Sequence, residues 1–254
     1  MNLLPTAAAL LLAAVSTPAA ASINLGRASC GIDTPYSVRI EPERIVFTHD
    51  RNKQVVALRA DGAVEVDGFT APMDARDRAL IRDMEREMRN LIPVVKGIAI
   101  DAVAIAFEAV GHASMAFAES PQHARESAER IARTADEIKR AVETQDSWGS
   151  ESEAHIERIV EGAVGTLIGE LVGNVTAQAI KVAFSGDGSA IAELEARAGS
   201  IEKNVDKAIK ARGRELEARA EEFCERLRGL EDIEARISAR LPDGSQLDLI
   251  RLRR

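Results

Sequence analysis

The sequence predicts a mostly α-helical α+β protein, in which a small N-terminal antiparallel β-meander packs on a bundle of long helices with a coiled-coil-like arm. Between residues 36 and 70, apolar and polar residues alternate, as in strands with one buried face. From residue 74 onward, apolar residues recur at intervals of three and four, which is the spacing of helices. The chain therefore divides into a signal peptide (1–21), a small sheet (22–72), a helical bundle (73–240) and a C-terminal tail or added strand (241–254).

The first residues have the features of a secretory signal peptide. Residues 7–15 form an apolar core, and the run Ala19-Ala20-Ala21 supplies a small-residue cleavage site before Ser22. The segment departs from the usual pattern because no lysine or arginine precedes the apolar core. Its short apolar length argues against a retained membrane anchor. We therefore expect an exported protein whose mature chain begins at Ser22.

Composition limits the classes of function. The 254 residues carry a net charge of −8 and only 3% aromatic residues. An acidic protein with few stacking rings is a poor match for nucleic acid, so we expect no nucleic-acid partner. The two cysteines, Cys30 and Cys224, lie near opposite ends of the mature chain. In an exported protein such a pair predicts a disulfide, the alternative being two unlinked thiols with Cys224 on an apolar helix face.

The alternating segment divides into strands separated by short turns. Residues 50–53 form the first turn, and Asp61-Gly62 and Asp67-Gly68 form the next two. The apolar positions of the strands are Val38, Ile40, Ile45, Phe47, Val56, Leu58, Val64 and Val66. A meander of this size needs a helix on its apolar side.

The first helices are bounded by caps and a proline. Asp74 is a candidate N-cap, and Pro93 is expected to kink or break the helix that follows it. Residues 94–118 are apolar nearly all round and predict a second, buried helix. Ser120-Pro121 predicts the start of another helix, because serine favours the N-cap and proline the first helical position.

A long charged segment ends the chain. Residues 191–237 have heptad-like spacing that is interrupted near Gly213, which predicts either one kinked helix or two. The following residues 247–252 predict either a last strand paired with the meander or a frayed tail.

Residues 161–184 form a helix with a stripe of glycines. Gly162, Gly165, Gly169 and Gly173 lie along one side, and a ridge of larger apolar residues lies on the other. Each glycine costs about 0.8–1 kcal/mol relative to alanine within a helix, a cost that close approach by a neighbouring helix can offset. We predict that this groove packs against residues 94–118. The alternative is a membrane-associated glycine zipper.

No motif identifies a reaction. The four histidines, His49, His112, His123 and His155, lack the spacing of metal ligands, and no nucleophile or nucleotide-binding signature is present. His112 shares an apolar helix with two acidic residues, but solvent-facing or satisfied polar side chains are the favoured interpretation. We predict no catalytic residue, metal or cofactor, and the sequence leans away from an enzyme.

Several short patches carry a family resemblance. They comprise the early Cys30, residues 59–64 (RADGAV) with the Asp67-Gly68 turn, residues 88–93 (MRNLIP) and residues 223–227 (FCERL). In these features the chain resembles the YggN-like family of uncharacterised exported proteins of Gram-negative bacteria. The resemblance implies a periplasmic location and a link between Cys30 and Cys224. It implies no catalytic residues.

The expected function follows from these points. We expect a periplasmic protein with a non-enzymatic structural or protein-interaction role in the cell envelope, whose arm at residues 191–237 contacts another envelope protein. The alternative is a membrane-surface or lipid-binding protein that uses residues 94–118 and 161–184.

Overall fold

A computed structural model describes residues 34–148, 150–185, 188–242 and 244–252. The described elements are β1 (Tyr36–Ile40), β2 (Arg44–His49), β3 (Val55–Arg59), β4 (Val64–Val66), β5 (Phe69–Thr70), α1 (Ala75–Ala116), α2 (Pro121–Thr144), β6 (Ser147–Trp148), α3 (Ser150–Ser185) and α4 (Gly188–Ala235). The predicted class, α+β and mostly α, is confirmed. The predicted signal peptide (1–21) and Cys30 lie outside the described residues.

The strands form one antiparallel sheet in the order β5-β4-β3-β2-β1-β6. The predicted meander is confirmed, and its alternation has the expected register, with Ile45 opposite Leu58 and Val56 opposite Val66. At the turn between β4 and β5, Asp67 and Gly68 have φ of 49° and 85°. Two consecutive positive φ angles are typical of the tight hairpin turn that an Asp-Gly pair favours.

The sheet is joined to α1 at Gly62. This residue has φ of 88°, and a Cβ atom placed on it would lie 2.3 Å from the backbone oxygen of Arg78. Only glycine allows both the left-handed conformation and so close an approach of the helix. The apolar side of the sheet, including Ile45, Phe47 and Leu58, is thereby covered by α1.

Strand β6 was not predicted from the sequence. It pairs with β1, with Trp148 opposite Val38, and so returns the chain from α2 to the sheet. The ammonium group of Lys96 in α1 lies 5.7 Å from the centroid of the Trp148 ring and donates a hydrogen bond of 2.7 Å to the backbone oxygen of Glu143. These contacts attach the end of α2 to both the sheet and α1.

Helix α1 continues for 42 residues, and the expected break at Pro93 does not occur. The helix begins as predicted, with Asp74 as N-cap accepting a hydrogen bond of 2.7 Å from the amide of Asp77. Proline removes one backbone hydrogen bond. Helix α4 lies along α1 on both sides of Pro93: the buried Leu91 shares an apolar cluster with Leu227 of α4, Glu87 pairs with Arg226 at 2.7 Å, and Asp101 pairs with Arg219.

Helix α4 runs antiparallel to α1 and is one helix of 48 residues, without a break at Gly213. Three arginines of α4, seven residues apart, each pair with an acidic residue of α1. The pairs are Arg212 with Glu108, Arg219 with Asp101 and Arg226 with Glu87. The spacing agrees with the heptad-like pattern of the sequence. Because these side chains are partly exposed, each pair contributes only about 0–1 kcal/mol and mainly favours one register.

The described residues form two hydrophobic clusters. The first joins the sheet, the beginning of α1, the end of α4 and the C-terminal tail, and includes Phe47, Met84 and Leu230. The second lies around Phe107, Ile131, Ile138 and Leu167 of α1, α2 and α3. From here on, we call residues 99–116 of α1 together with α2 and α3 the arm. The coiled-coil-like arm predicted at residues 191–237 is a different segment and corresponds to most of α4.

The C-terminal tail, residues 237–242 and 244–252, is neither frayed nor part of the six-stranded sheet. It packs on the first cluster, where Leu249 is fully buried and Leu241, Leu247 and Ile250 are buried beside it. Within the described residues, the segment is therefore an ordered tail that does not extend the sheet. The apolar residues alternate as in a strand, but they pack against helices and the sheet face instead of extending the sheet.

Candidate functional site

Within the part of the chain that the structure describes, the glycine stripe of α3 does not pack against another helix. Gly162, Gly165, Gly169 and Gly173 are exposed, and a Cβ atom added to any of them would meet nothing within 4 Å. The predicted packing of this groove on residues 94–118 is therefore wrong. The two helices do meet, but through the opposite side of α3, where Leu167 enters the cluster around Phe107.

Two polar side chains of α3, Glu170 and Gln178, bond to the neighbouring helices. Glu170 accepts hydrogen bonds of 2.9 and 3.2 Å from the guanidinium of Arg130 in α2. Gln178 donates a hydrogen bond of 2.5 Å to the backbone oxygen of Phe117, directly after α1. Thr166 is exposed, but its hydroxyl donates to the backbone oxygen of Gly162 at 2.9 Å. The arm and the helix itself thus satisfy three of the polar side chains between residues 162 and 180.

Between residues 162 and 180, the side of α3 that faces away from α1 and α2 is apolar; the exposed Glu161 precedes it on the same side. At 100° per residue, the glycines and the exposed apolar residues between positions 162 and 180 fall within one sector about 140° wide. We call this sector the outer face; it contains Gly162, Gly165, Ile168, Gly169, Val172, Gly173, Thr176 and Ile180. Val172 is 57% exposed and Ile180 is 52% exposed. Glu170 is the only charged residue between positions 162 and 180, and it lies outside this sector.

Helices of this kind are unusual on the surface of a water-soluble protein. Within the described part of the chain, two helices, α1 and Glu157–Gln178 of α3, are long and apolar enough to cross a membrane. Only 17% of the apolar window of α1 and 6% of that of α3 are buried inside the protein. The core helix of a soluble protein would pass the same test, but it would be mostly buried. The outer face is therefore the candidate functional site.

The residues considered for acid–base chemistry do not form an enclosed site. The side chain of His112 is 38% exposed, and its Nε2 lies 3.9 Å from a carboxylate oxygen of Glu108. Glu108 also pairs with Arg212 of α4. This arrangement is that of a partly exposed ion-pair network joining two helices.

A shallow cleft lies between α1 and α4. It has a volume of about 360 Å³ and is lined by Pro93, Val94, Arg219, Glu222, Phe223 and Arg226. Its two arginines pair with acidic residues of α1, which neutralises much of their attraction for an anion. No group of three or more histidine, cysteine, aspartate or glutamate side chains in the described ranges could hold a metal ion.

Two buried carboxylates anchor the C-terminal tail. Asp77 of α1 accepts hydrogen bonds of 3.1 and 2.8 Å from the amide and hydroxyl of Ser238, and one of 2.8 Å from the amide of Ala239. Glu234 of α4 accepts from the amides of Leu249 and Ile250 at 2.6 and 3.1 Å.

The pKa values of the two carboxylates shift in opposite directions. Burial raises the pKa of Asp77, but the hydrogen bonds from Ser238 and Ala239 outweigh burial and lower the pKa below its ordinary value. For Glu234, burial outweighs its two hydrogen bonds and raises the pKa to about 7. The nearby charges of Asp248 and Glu231 act in the same direction as burial. The tail is therefore attached through groups with opposite pH responses.

Cys224 is buried in α4, with 3% of its surface exposed. Its predicted partner, Cys30, lies outside the described residues. The disulfide therefore stays a prediction.

The fold and the outer face define a mostly helical α+β protein with an exposed apolar arm. The chain belongs to the family described as Protein of unknown function (DUF2884), which matches residues 30–250. No curated protein and no solved structure gives a significant match. The matched range includes the patches that carry the YggN-like resemblance. That name, and the Gram-negative periplasmic origin it implies, stay predictions.

Proposed function

We propose that the protein is exported to the periplasm and acts there by binding an apolar surface of the cell envelope, without catalysing a reaction. The observation that carries this proposal is the outer face of α3, an apolar helical surface that the described part of the protein leaves uncovered. Contiguous exposed apolar patches on soluble proteins usually mark interaction sites. Export is supported by the apolar core and small-residue cleavage site within residues 1–21.

We propose that the binding surface lies on α3 and not on residues 191–237, the segment that the sequence favours. The apolar positions in the second half of α4, among them Leu216, Ala220 and Leu227, are buried. They already face α1 and the first hydrophobic cluster, so a partner could reach them only by displacing these elements. The outer face of α3 requires no such rearrangement.

Export is tested by expressing the full chain in a Gram-negative host and releasing periplasmic proteins by osmotic shock. We expect the protein in the released or membrane-attached envelope material, with Ser22 as its first residue by intact mass. Recovery of the chain from the cytoplasm with residues 1–21 still attached would overturn the periplasmic part of the proposal.

Binding is tested by washing the envelope fraction of the same cells at moderate salt and measuring the protein retained. The double variant Ile168→Glu with Val172→Glu places two charges on the outer face, where both side chains are about half exposed. The control, Ala211→Glu with Ala218→Glu, adds the same charges at exposed positions of α4. We expect retention of the wild type and the control, and release of the outer-face variant. Equal retention of all three would contradict a binding role for this surface.

A further inference from the structure

We infer that the outer face of α3 binds the surface of a lipid bilayer, with the helix lying along the membrane. The inference deepens the proposed function and rests on it, since it names the partner of the same surface. It starts from the polarity of α3 between residues 162 and 180, where apolar side chains face water as well as the interior, unlike those of a helix on the surface of a soluble protein. Such a helix turns its polar residues to water and its apolar residues inward.

In α3, the carboxylate of Glu170 and the amide of Gln178 bond to α2 and to the end of α1. The apolar side chains of Ile168, Val172 and Ile180 are exposed on the side of α3 that faces away from α1 and α2. This arrangement is common where a helix contacts lipid, because hydrocarbon offers no hydrogen bonds and polar groups must be satisfied within the protein.

The chemistry of the outer face favours lipid over a protein partner. Protein interfaces contain about one hydrogen bond per 100–200 Å², usually at a polar rim. Between residues 162 and 180 the exposed surface presents glycine, alanine and aliphatic side chains, with the hydroxyls of Thr166 and Thr176 as its main polar groups. Thr166 already bonds to the backbone of its own helix. A lipid surface needs no specific polar partner from the protein.

Exposed apolar side chains also occur outside the outer face. Helix α1 packs against the inner side of α3, where Phe107 and Leu167 share a cluster, and Gln178 bonds to the backbone of Phe117 directly after α1. Met115, near the end of α1, is 53% exposed, and Phe184, near the end of α3, is 88% exposed. The end of the arm therefore presents apolar side chains from two helices.

The contacts of α2 favour a helix that lies on the membrane over one that spans it. Residues 162–180 are about 28 Å long, close to the thickness of the hydrocarbon region of a bilayer. However, a spanning α3 would carry the Arg130–Glu170 pair into that region, where charged groups are expensive. With α3 lying along the surface, this pair and the exposed Arg133 and Glu137 of α2 stay on the water side.

Because the protein has a net charge of −8, the dependence of binding on lipid charge and salt distinguishes apolar contact from electrostatic attraction. An acidic protein gains nothing from an anionic membrane, so its binding must come from apolar surface removed from water. Binding should therefore persist on zwitterionic vesicles and at high salt, where charge attraction is screened.

The test is flotation of the purified protein with protein-free vesicles of phosphatidylcholine, and of phosphatidylcholine mixed with phosphatidylglycerol. We expect flotation with both, no gain from the anionic lipid, and little change when salt rises to about 1 M. The Ile168→Glu, Val172→Glu variant should partition at least about tenfold less. The Ala211→Glu, Ala218→Glu control should float like the wild type. Circular dichroism melts of all three verify that the folds are equivalent.

Two results would overturn the inference: no flotation of the wild type, or equal flotation of the outer-face variant. Either result combined with variant-sensitive retention in cell envelopes would identify a protein partner, so the proposed function would stand while the lipid inference failed. Conversely, variant-sensitive flotation of a protein that is never exported would support lipid binding and refute the periplasmic role.

Discussion

The carboxylate of Glu234 allows a quantitative prediction about stability. It is 5% exposed and accepts hydrogen bonds from two backbone amides of the tail, yet burial raises its pKa to about 7. In the unfolded chain its pKa returns to about the ordinary value of 4.5. Between these two values the folded protein binds a proton that the unfolded chain has lost. The Glu234 contribution to stability is therefore complete below about pH 4.5 and is lost as the pH rises through about 7.

The expected size of this loss follows from the two pKa values. At about 1.36 kcal/mol per pH unit, the interval from 4.5 to about 7 corresponds to about 3.4 kcal/mol. The substitution Glu234→Gln keeps the shape of the side chain but cannot ionise. As the pH rises from 4.5 to 8, the free energy of unfolding of the variant minus that of the wild type should increase by about 3 kcal/mol. At pH 4.5 it should be slightly less stable, by about 1 kcal/mol, because its amide group cannot accept from both backbone amides.

The assay is urea unfolding of both proteins at several pH values between 4.5 and 8, with the free energy of unfolding extrapolated to water. Comparing the difference between the proteins removes the contributions of groups they share, including Asp77. The control Glu221→Gln, an exposed carboxylate of the same helix, should keep the pH profile of the wild type. A difference that stays constant with pH, or that changes in the opposite direction, would refute the assignment of a raised pKa to Glu234.

Three further predictions concern stability and covalent structure. Gly62→Ala should lower the free energy of unfolding by about 2 kcal/mol or more, because it adds a clash with the backbone of α1 to a strained φ. Gly68→Ala has the strained φ but open space around it and should cost about 1 kcal/mol. Chemical unfolding measures both losses, and equal losses would refute the clash at Gly62. Gly169→Leu should raise the free energy of unfolding by about 0.5–1 kcal/mol, because leucine favours the helix and its side chain meets open space, and a loss above about 2 kcal/mol would mean that the outer face is covered. The intact mass of the protein should be lower by two hydrogens under non-reducing conditions than after reduction, because Cys30 and Cys224 form a disulfide. Reaction of both thiols with an alkylating reagent without prior reduction would refute the disulfide.

The sequence predicts the meander well because its signals are local. The alternation of Ile45 and Phe47 with polar residues indicates which side is buried, and the Asp67-Gly68 pair selects the turn. Strand β6 cannot be predicted in this way, because a strand of two residues has no periodicity. Its pairing with β1, far away in the chain, depends on where α2 ends.

The helices show where local rules give way to tertiary contacts. Pro93 and Gly213 are expected to interrupt helices, but both helices continue through these positions, where α1 and α4 lie along one another. The heptad spacing of the arginines in α4 is visible in the sequence. Their partners in α1 are not, because the alignment of the two helices depends on the whole fold.

For the candidate site, the sequence identifies the surfaces of α3 but not their directions. A groove of glycines, a ridge of larger apolar residues and a polar strip with Glu170 can all be read from the spacing. The usual expectation that glycines mark close packing places the groove inside, and it is wrong. The ridge decides the orientation, because Val164 and Leu167 pack in the cluster around Phe107 and so turn the glycine side outward; the pair of Arg130 with Glu170 agrees with this orientation.

The central claim, that the outer face contacts lipid, is tested most directly by a nitroxide label at Val172, introduced as Val172→Cys, with vesicles present. A matched label at Arg133 of α2, whose side chain is 65% exposed, reports on the opposite side of the arm. We predict that vesicles make the label at residue 172 more accessible to oxygen than to a water-soluble nickel chelate, while the label at residue 133 keeps its access to the chelate. Unchanged access of the chelate to residue 172 upon addition of vesicles would contradict the claim.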